Sequence, residues 1–397
     1  NTLKKANYNL YKFIGSRYND FQFLNLAFNN SELKYFAKIL NIYHYKLLDY
    51  ERINFKTVKS KKISRLKSLK LDKKNDFYKL LDEIIPLSIP REYCEFFDGI
   101  RIKVKSHIPK KIPKIIFVRS SLEQSTFSRF FQSELSKLGS KIYAFQEGGG
   151  NNTRYNNIGD HKMHLIACDK LLTWGWKINH NKIQQFKFTK TFWIKKFKYC
   201  NNKKILICGA SCRRYHFSIF EGNFIHHNNN HLFLNRNLLK YITKLKDISI
   251  IYRLHKDFEY NEREYLDEFE NQIKFSSRES NEDFYDLLYS SSLIINTSDY
   301  TANLQSLIIN IPTIFLWNKE DYKIRDISKK FYEDLYENGI LYFDSSECAK
   351  KIKSIYHNPL KWWYSSNVQM ARKNFIKNFC NYSGNLKEDL LQLKKNL

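Results

Sequence analysis

The chain has 397 residues, of which 43% are hydrophobic, 16% aromatic and 27% charged, and this composition excludes an intrinsically disordered protein. Only 12 Gly and 6 Pro occur, which excludes collagen-like and linker-dominated architectures. Lys and Arg number 67 against 40 Asp and Glu, for a formal net charge of +27. The candidate partners are therefore nucleic acids, anionic membrane surfaces and phosphorylated small molecules.

The length and the cysteines limit the class of protein further. At ~100–200 residues per domain, the chain is long enough for two domains with cores of their own. The seven cysteines are scattered and show no C-x-x-C spacing, so the sequence predicts neither a disulfide framework nor a zinc site. The sequence contains neither a membrane-spanning apolar run nor a signal-peptide pattern. We expect a cytoplasmic protein, either soluble or bound peripherally to the inner face of the cytoplasmic membrane.

Residues 1–110 are predicted to form a helical segment that belongs to the first domain, because apolar residues recur there at helical spacing, as in 36–43 and 77–84. Between these runs lies a basic stretch, residues 51–75, with ten Lys or Arg against two acidic residues. It is predicted to be either a solvated helix face or a contact with an anionic membrane. Nucleic acid is disfavoured because a single Phe offers little for bases to stack on.

Residues 111–200 are predicted to form a Rossmann-like domain. Strands are expected at 114–118, 141–146 and 171–173, and a helix at 125–138 that ends before Gly139. Strands that alternate with helices through short connections indicate a parallel sheet.

Residues 201–345 are predicted to form a second Rossmann-like domain, and residues 346–397 to form C-terminal helices. Strands are expected at 205–208, 248–252, 272–275, 293–295 and 313–316. Helices are expected between them at 231–246, 261–270, 281–289 and 301–309. The predicted fold class is therefore α/β, with two Rossmann-like domains between helical ends.

In open parallel sheets, ligands bind beyond the carboxyl ends of the strands. The strand 141–146 is followed by Glu147 and by the triplet Gly148, Gly149 and Gly150, a quarter of all glycines in the chain. Glycines permit close approach of another group or a positive φ, although a flexible turn would also explain them. Glu147 is a candidate general base or nucleophile, with a surface or salt-bridged role as the alternative.

Cations follow two further strands of the second domain. Arg253, His255 and Lys256 come after the strand 248–252, and Arg213 follows the strand 205–208. Cations at adjacent strand ends can converge on a phosphate group. Ordinary strand-end charges in a Lys-rich protein are the alternative.

Hydroxyl side chains follow the strand 293–295 and lead into a helix. Thr297, Ser298 and Thr301 are placed where the free N–H groups and the positive dipole end of that helix could receive a phosphate. Helix capping would also select such residues.

Metal and cofactor sites are not predicted. The sequence contains no P-loop, no G-x-G-x-x-G after a first strand and no H-E-x-x-H motif. His226, His227 and His231 lie close together, but in an expected Asn-rich loop without nearby carboxylates or thiolates.

Several ordered motifs resemble a family of bacterial surface-polysaccharide transferases. Residues 145–150 read F-Q-E-G-G-G and residues 169–176 read D-K-L-L-T-W-G-W, similar to the family signature Q-H-G-G-G … D-K-x-x-T-W-G-W. The resemblance continues through 252–255, 297–307, 311–317, 325–326, 338–340, 361–363 and 371–372. It implies a GT-B-like glycosyltransferase of lipopolysaccharide or capsule assembly, with its active site in a cleft between an acceptor domain, 111–200, and a donor-nucleotide domain, 201–345.

The sequence departs from this family at three places. Glu147 replaces the family His, Asn151 and Asn152 replace Tyr-Gly, and Gln305 replaces a Glu for which the resemblance implies a contact with the donor ribose. A carboxylate at position 147 can still accept a proton, whereas Gln305 keeps one acceptor oxygen of the two in Glu. Relatives extend upstream of Asn1, so we also expect the chain to be a fragment.

The predicted function is transfer of a sugar from a nucleotide-activated donor to a glycan or lipid-linked acceptor, without a further cofactor. The alternative is a degenerate relative that binds polysaccharide or nucleic acid as a non-enzymatic anion-binding module.

Overall fold

The computed structural model describes residues 21–24, 30–40, 59, 75–118, 125–146, 148–155, 164–187, 197–199, 202–209, 225–254, 259–276, 283–380 and 385–395. Apart from Lys59 and Asn75, the basic stretch 51–75 lies outside the described residues. The chain forms two compact units. The first consists of 1–146, 164–171 and 390–397, and the second of 147–163 and 172–389.

Eleven strands are present in the described part of the chain. They are β1 (Phe21–Leu24), β2 (Ile115–Val118), β3 (Lys141–Phe145), β4 (Lys170–Thr173), β5 (Ile183–Gln185), β6 (Lys204–Cys208), β7 (Ser249–Arg253), β8 (Lys274–Ser276), β9 (Leu293–Asn296), β10 (Thr313–Leu316) and β11 (Leu341–Tyr342). One sheet has the order β1-β2-β3-β4-β5, and the other has the order β11-β10-β9-β6-β7-β8.

The α-helices of the described residues alternate with these strands and follow them at the C-terminal end. They are α1 (Asn30–Leu40), α2 (Asp76–Ser88), α3 (Phe97–Lys105), α4 (Thr126–Lys137), α5 (Ile225–Ile242), α6 (Glu259–Tyr265), α7 (Phe284–Tyr289), α8 (Thr301–Ile309), α9 (Asp326–Glu337), α10 (Ser345–Ile355), α11 (Pro359–Trp363), α12 (Ser366–Phe379) and α13 (Leu386–Lys395). Short 3-10 helices occupy Arg91–Tyr93, Asp267–Phe269 and Lys319–Asp321. None of the described helices is long and apolar enough to cross a bilayer.

The core of the first unit is built on the aromatic side chains of β1 to β3. The two strand pairs β1–β2 and β2–β3 are parallel. Phe117 in β2 stacks on Phe21 at 5.9 Å and lies 5.6 Å from the ring of Phe145. All four side chains of β2 are buried, as expected for a strand inside a parallel sheet.

The sheet of the second unit is covered by helices on both faces. Along β6, Ile205 and Ile207 pack with α5 and α10, whereas Leu206 and Cys208 pack with α7 and the end of α8. This alternation follows from the period of two in a strand, which directs successive side chains to opposite faces. The unit is therefore a doubly wound α/β layer structure, and the predicted fold class with two Rossmann-like sheets is confirmed.

The structure differs from the sequence prediction in several elements. The strands β1, β5 and β11 were not predicted, and the helix expected at 261–270 divides into α6 and a 3-10 turn. Residues 225–230 continue α5, so His226 and His227 lie in a helix rather than in a loop. Segments 147–163 and 172–200 group with the second unit, whereas the sequence prediction placed both in the first domain. The other predicted domain boundaries remain predictions.

Candidate functional site

Three strand ends meet in the middle of the six-stranded sheet. Cys208 at the end of β6 is in register with Arg253 on β7 and with Asn296 on β9, and both pairings are parallel. Arg253 and the residues that follow β9 are therefore brought to one edge. The Cys208 thiol is not a candidate nucleophile there, because burial raises its pKa to about 12.

Thr297 stabilises this edge rather than presenting its hydroxyl to a ligand. It is fully buried, and its hydroxyl donates to the carbonyl oxygen of Cys208 at 2.9 Å. Thr297 therefore holds the end of β9 against β6. The sequence predicted a contact with phosphate for this residue, and not this structural role.

The glycine triplet lies against the first turn of α8. The backbone N–H of Gly149 donates to the hydroxyl oxygen of Thr301 at 3.1 Å. A Cβ atom at Gly149 would lie 2.7 Å from the carbonyl carbon of Tyr300 and 2.9 Å from the backbone nitrogen of Thr301. The absence of a side chain at 149 is thus a packing requirement, so the triplet is more than a flexible turn.

Helix capping was the alternative explanation for the hydroxyl residues that lead into α8. The start of α8 carries no such side-chain cap. The residue before the helix is Tyr300, whose side chain makes no capping hydrogen bond. Thr301 begins the helix and uses its hydroxyl to receive Gly149. The first turn of α8 and the positive end of its helix dipole therefore lie beside the glycine segment.

A buried ion pair joins the residues after the triplet to the residue just before Tyr300. The Nε atom of Arg154 lies 3.4 Å from the Oδ2 atom of Asp299, and both side chains are about 95% buried. Tyr332 donates its hydroxyl to the same carboxylate oxygen at 2.8 Å, and the Thr153 hydroxyl, which donates to the Gly150 carbonyl oxygen at 2.8 Å, lies 3.4 Å from that oxygen. The Asp299 carboxylate is thus in contact with one cation and two hydroxyls from two distant parts of the chain.

The electrostatic environment of Arg154 favours its charged form. Burial is the largest single influence and would lower the pKa of Arg154, but the Asp299 carboxylate together with Tyr300, Tyr322 and Tyr332 outweighs it, so the pKa lies above its usual value. Burial and the same carboxylate raise the pKa of Tyr332 well above normal. The guanidinium also lies over the rings of Tyr300 and Tyr322, at 5.0 Å and 4.8 Å from the ring centroids. Arg154 is therefore charged and held rigidly.

Two aromatic residues at the start of α7 contact two of the predicted donor-binding residues. The guanidinium of Arg253 lies 4.6 Å from the ring centroid of Phe284. The side-chain amide of Gln305 donates to the hydroxyl oxygen of Tyr285 at 2.8 Å. Sequence reasoning missed Phe284 and Tyr285, because no motif marks them and their partners lie on other elements.

A second buried polar network lies beneath the end of β6. Tyr252 donates its hydroxyl to Glu262 at 2.5 Å and accepts from the amide of Asn235 at 2.8 Å, and the imidazole of His231 lies 3.6 Å from Glu262. Burial, then the Glu262 carboxylate, raises the pKa of Tyr252 well above normal. A Cβ at Gly209 would lie 2.6 Å from Glu262 Oε2, so the network supports the backbone that leaves β6.

The remaining sequence predictions fall outside this site or outside the described residues. Glu147, Arg213, His255 and Lys256 lie outside the described residues. In the D-K-L-L-T-W-G-W motif, the Asp169 carboxylate accepts the backbone N–H of Ile142 at 2.8 Å, and the backbone N–H of Asp169 donates to the Ile142 carbonyl oxygen at 2.8 Å. No group of His, Cys, Asp and Glu among the described residues could hold a metal ion.

Comparison of the sequence with protein families gives one match. The family described as LIC12162 family transferase matches residues 1–394. A search of curated protein sequences gives no match.

Comparison of the fold with solved structures gives distant similarities. UDP-GlcNAc 2-epimerase from Neisseria meningitidis, bound to UDP-GlcNAc, is 13% identical, with 76% of this chain and 80% of that chain covered and a TM-score of 0.47. TarM of S. aureus is 12% identical, with 76% and 58% covered and a TM-score of 0.46. MurG of Acinetobacter baumannii is 9% identical, with 76% and 78% covered and a TM-score of 0.40.

Proposed function

The chain belongs to the LIC12162 family of transferases, and we propose that it transfers a sugar from a nucleotide-activated donor to a surface-polysaccharide or lipopolysaccharide acceptor. Membership of the family confirms the prediction of a transferase. The identity of the transferred group, the donor and the acceptor belong to the proposal.

One observation carries the proposal. Arg253 and the residues that lead into α8 lie at the same carboxyl edge of a parallel sheet, Gly149 contacts the helix start through its backbone, and Gln305 lies one turn further along α8. Parallel α/β sheets bind ligands at this edge, and a helix N-terminus with free N–H groups suits a phosphate. Beside such a terminus, a positively charged side chain suits a diphosphate, and a polar amide suits the sugar hydroxyls of a nucleoside.

The proposed roles follow from the chemistry of each side chain. Arg253 holds the donor phosphates, together with His255, Lys256 and Arg213 from the neighbouring loops. Ser298 and the first turn of α8 add hydrogen-bond donors to the same phosphates, whereas Thr297 and Thr301 fix the surrounding backbone. Gln305, oriented by Tyr285, contacts the ribose.

The proposed reaction breaks the bond between the sugar C1 and the phosphate oxygen and forms a bond between C1 and an acceptor hydroxyl oxygen. The departing nucleotide gains negative charge in the transition state, and fixed cations and N–H donors at the phosphates lower the barrier. The acceptor hydroxyl loses a proton, which the Glu147 carboxylate accepts as general base.

Calorimetry with UDP-, GDP-, CMP- and dTDP-sugars tests the binding half of the proposal. We expect one donor class to bind, and Arg253→Ala to weaken it by about 1.5–3 kcal/mol, the value of a charge-assisted hydrogen bond. Arg263→Ala is the matched control, because this exposed arginine pairs with Glu270 at 3.7 Å and takes no part in the proposed site. Failure of every nucleotide sugar to bind would contradict the proposal. Binding of nucleic acid that falls by ~10³ between ~50 and ~200 mM salt would favour the anion-binding module.

Turnover tests the role of Glu147. Glu147→Gln should lower kcat by ~10²–10⁴ with donor affinity nearly unchanged, since a general base acts in the transition state. Glu147→His restores the residue of the resembling family and should keep activity if the position accepts a proton. Full activity of Glu147→Gln would assign the base to another residue.

A further inference from the structure

The C-terminal end of α8 is held by side chains from α11 and α12. Arg372 on α12 donates to the carbonyl oxygen of Leu307 at 2.6 Å. The indole N–H of Trp363, in α11, points at Asn310, with 3.2 Å to its carbonyl oxygen and 2.9 Å to its side-chain oxygen. Gln369 donates to that same side-chain oxygen at 3.1 Å. We name Trp363, Gln369 and Arg372 the α8 clamp.

The three residues of the α8 clamp are also bound to one another. Gln369 donates its amide to the carbonyl oxygen of Trp363 at 2.8 Å and accepts the Nε–H of Arg372 at 3.1 Å. Trp363 is fully buried, and Arg372 is 8% exposed. Such low-dielectric surroundings strengthen hydrogen bonds, and a connected network of them is rigid. The clamp therefore fixes the end of α8 relative to α11 and α12.

The groups that the clamp binds are those of a helix end. The last carbonyl groups of a helix lack partners within it and form the negative end of its dipole. Arg372 places a cation there, which the sequence of α8 itself, T-A-N-L-Q-S-L-I-I, does not supply. Asn310 ends the helix in the left-handed conformation, with a φ of 66°. Gly is more common at such a position but lacks the side-chain oxygen that Trp363 and Gln369 contact.

The opposite end of α8 is the proposed phosphate site. The helix has nine residues, so its ends lie ~13 Å apart at ~1.5 Å per residue. Residues 303–309 are all buried. A close-packed interior transmits strain because it is hardly compressible. A displacement at Leu307 is therefore passed along the helix to Thr301 and to the hydrogen bond that Thr301 accepts from Gly149.

We propose that the residues of the α8 clamp are positioning residues, which hold the first turn of α8 at the place where the donor phosphates bind. This proposal rests on the proposed function, because it takes the phosphate site from there. It also gives a role to the motif residues 361–363 and 371–372, which none of the proposed donor contacts uses. Loss of the clamp should weaken donor binding in the folded protein, since even a misplacement of ~1 Å has a large effect.

Two neighbouring tryptophans provide a matched pair of variants. Trp363→Phe removes the indole N–H that reaches Asn310. Trp362→Phe removes the same group from the adjacent residue, which donates to the carbonyl oxygen of Asn338 at the end of α9, at 3.3 Å. Calorimetry uses whichever of the UDP-, GDP-, CMP- and dTDP-sugars the parent binds best. The affinity should fall about threefold or more in Trp363→Phe and stay unchanged in Trp362→Phe.

Substitution of Arg372 tests the charge at the helix end. Arg372→Met should lower the donor affinity by about tenfold, because it removes a charge-assisted hydrogen bond. Arg372→Lys keeps a cation that can donate to the Leu307 carbonyl and should recover most of the affinity, which a space-filling role would not predict. Urea denaturation shows which variants fold, and Trp363→Phe carries the test if Arg372→Met does not.

Hydrogen exchange measures the transmission along α8 without a donor. We expect the backbone N–H groups of both 301–304 and 306–310 to exchange about threefold faster or more in Trp363→Phe than in the parent, measured by mass spectrometry. Faster exchange at 306–310 alone would overturn the proposal, because the clamp would then hold only the end that it touches.

The calorimetry separates failure of this proposal from failure of the proposed function. If the parent binds no nucleotide sugar, the proposed function is contradicted, and the donor site that the clamp would serve is lost with it. If the parent binds one, and Trp363→Phe and Arg372→Met bind it equally well despite lower unfolding midpoints, only the clamp is overturned and its residues serve stability.

Discussion

Gly149 donates its backbone N–H to the hydroxyl of Thr301 over 3.1 Å, although 152 residues separate them along the chain. This hydrogen bond joins the glycine triplet to the helix start that we propose as the phosphate site. The contact makes the glycine necessary for packing as well as for any approach of a ligand.

Gly149→Ala should destabilise the second unit. Its Cβ would lie within 3 Å of backbone atoms of Tyr300 and Thr301, which cannot rotate away. We expect a loss of about 1–3 kcal/mol in the free energy of unfolding, as for other overpacked sites, measured by urea denaturation. Gly148→Ala is the control, because a Cβ there meets no atom within 4 Å, and it should leave the midpoint nearly unchanged. Equal midpoints for the two variants would contradict this account.

The main strands and helices could be predicted because buried parallel strands consist of continuous apolar runs. Leu293–Asn296 is such a run and is followed directly by the polar residues Thr297 and Ser298, whereas Thr313–Leu316 is followed first by Trp317 and only then by Asn318. The strands Phe21–Leu24 and Leu341–Tyr342 were not predicted, because segments this short form strands through their pairing with a neighbouring strand of the sheet.

The candidate site was predictable only where a motif marked it. Arg253, Gln305 and the glycine triplet follow from strand ends and from family resemblance. The pairing of Arg154 with Asp299 was not predictable, because both are ordinary polar residues whose burial depends on contacts such as that between Thr153 and Asp299, 146 residues apart. Phe284 and Tyr285 were predicted only as residues of a helix. Their contacts with Arg253 on β7 and Gln305 on α8 depend on how these elements pack.

Arg154→Met should destabilise the protein strongly, because it leaves the Asp299 carboxylate buried without its counter-ion. Breaking a buried pair by removing one partner costs about 3–5 kcal/mol, which urea denaturation would measure. Lys329→Met provides the control, since Lys329 pairs with Asp326 on the exposed surface and should leave the unfolding midpoint unchanged. Similar midpoints for Arg154→Met and the parent would show that the buried pair contributes little.

Tyr285→Phe should weaken nucleotide binding without unfolding the protein. The variant removes the oxygen that accepts the Gln305 amide, so Gln305 loses the hydrogen bond that orients it. We expect a loss of about 0.5–1.5 kcal/mol in the free energy of binding, measured by calorimetry with the preferred donor. Tyr289→Phe, at the other end of α7, should bind as the parent does. An unchanged affinity for Tyr285→Phe would remove this pair from the proposed ribose contact.

The pair of Arg101 and Glu134 should make stability depend on pH in the acidic range. Burial alone would raise the pKa of Glu134, but the hydrogen bond and the charge of Arg101, at 2.6 Å, outweigh it, and the pKa is lowered. A carboxylate with a lowered pKa contributes stability above its unfolded pKa of about 4.3, and the contribution is lost as the pH falls through the folded value.

Glu134→Gln should therefore lower the free energy of unfolding at about pH 7 and flatten its fall below about pH 4.3. Chemical denaturation at a series of pH values would measure both effects. Glu83→Gln, on an exposed position of α2, is the control and should leave the pH profile unchanged. A parallel shift of the Glu134→Gln profile at every pH would assign the loss to packing instead of charge.

The buried pair of Arg154 and Asp299 also limits how the protein can be dissected. The second unit takes residues 147–163 from one part of the chain and 172–389 from another, with 164–171 of the first unit between them. A fragment that starts at the predicted boundary of 201 would retain Asp299 and discard Arg154, and its core would contain a carboxylate without a cation. Any expression of the second unit as a separate polypeptide must therefore begin upstream of Gly148.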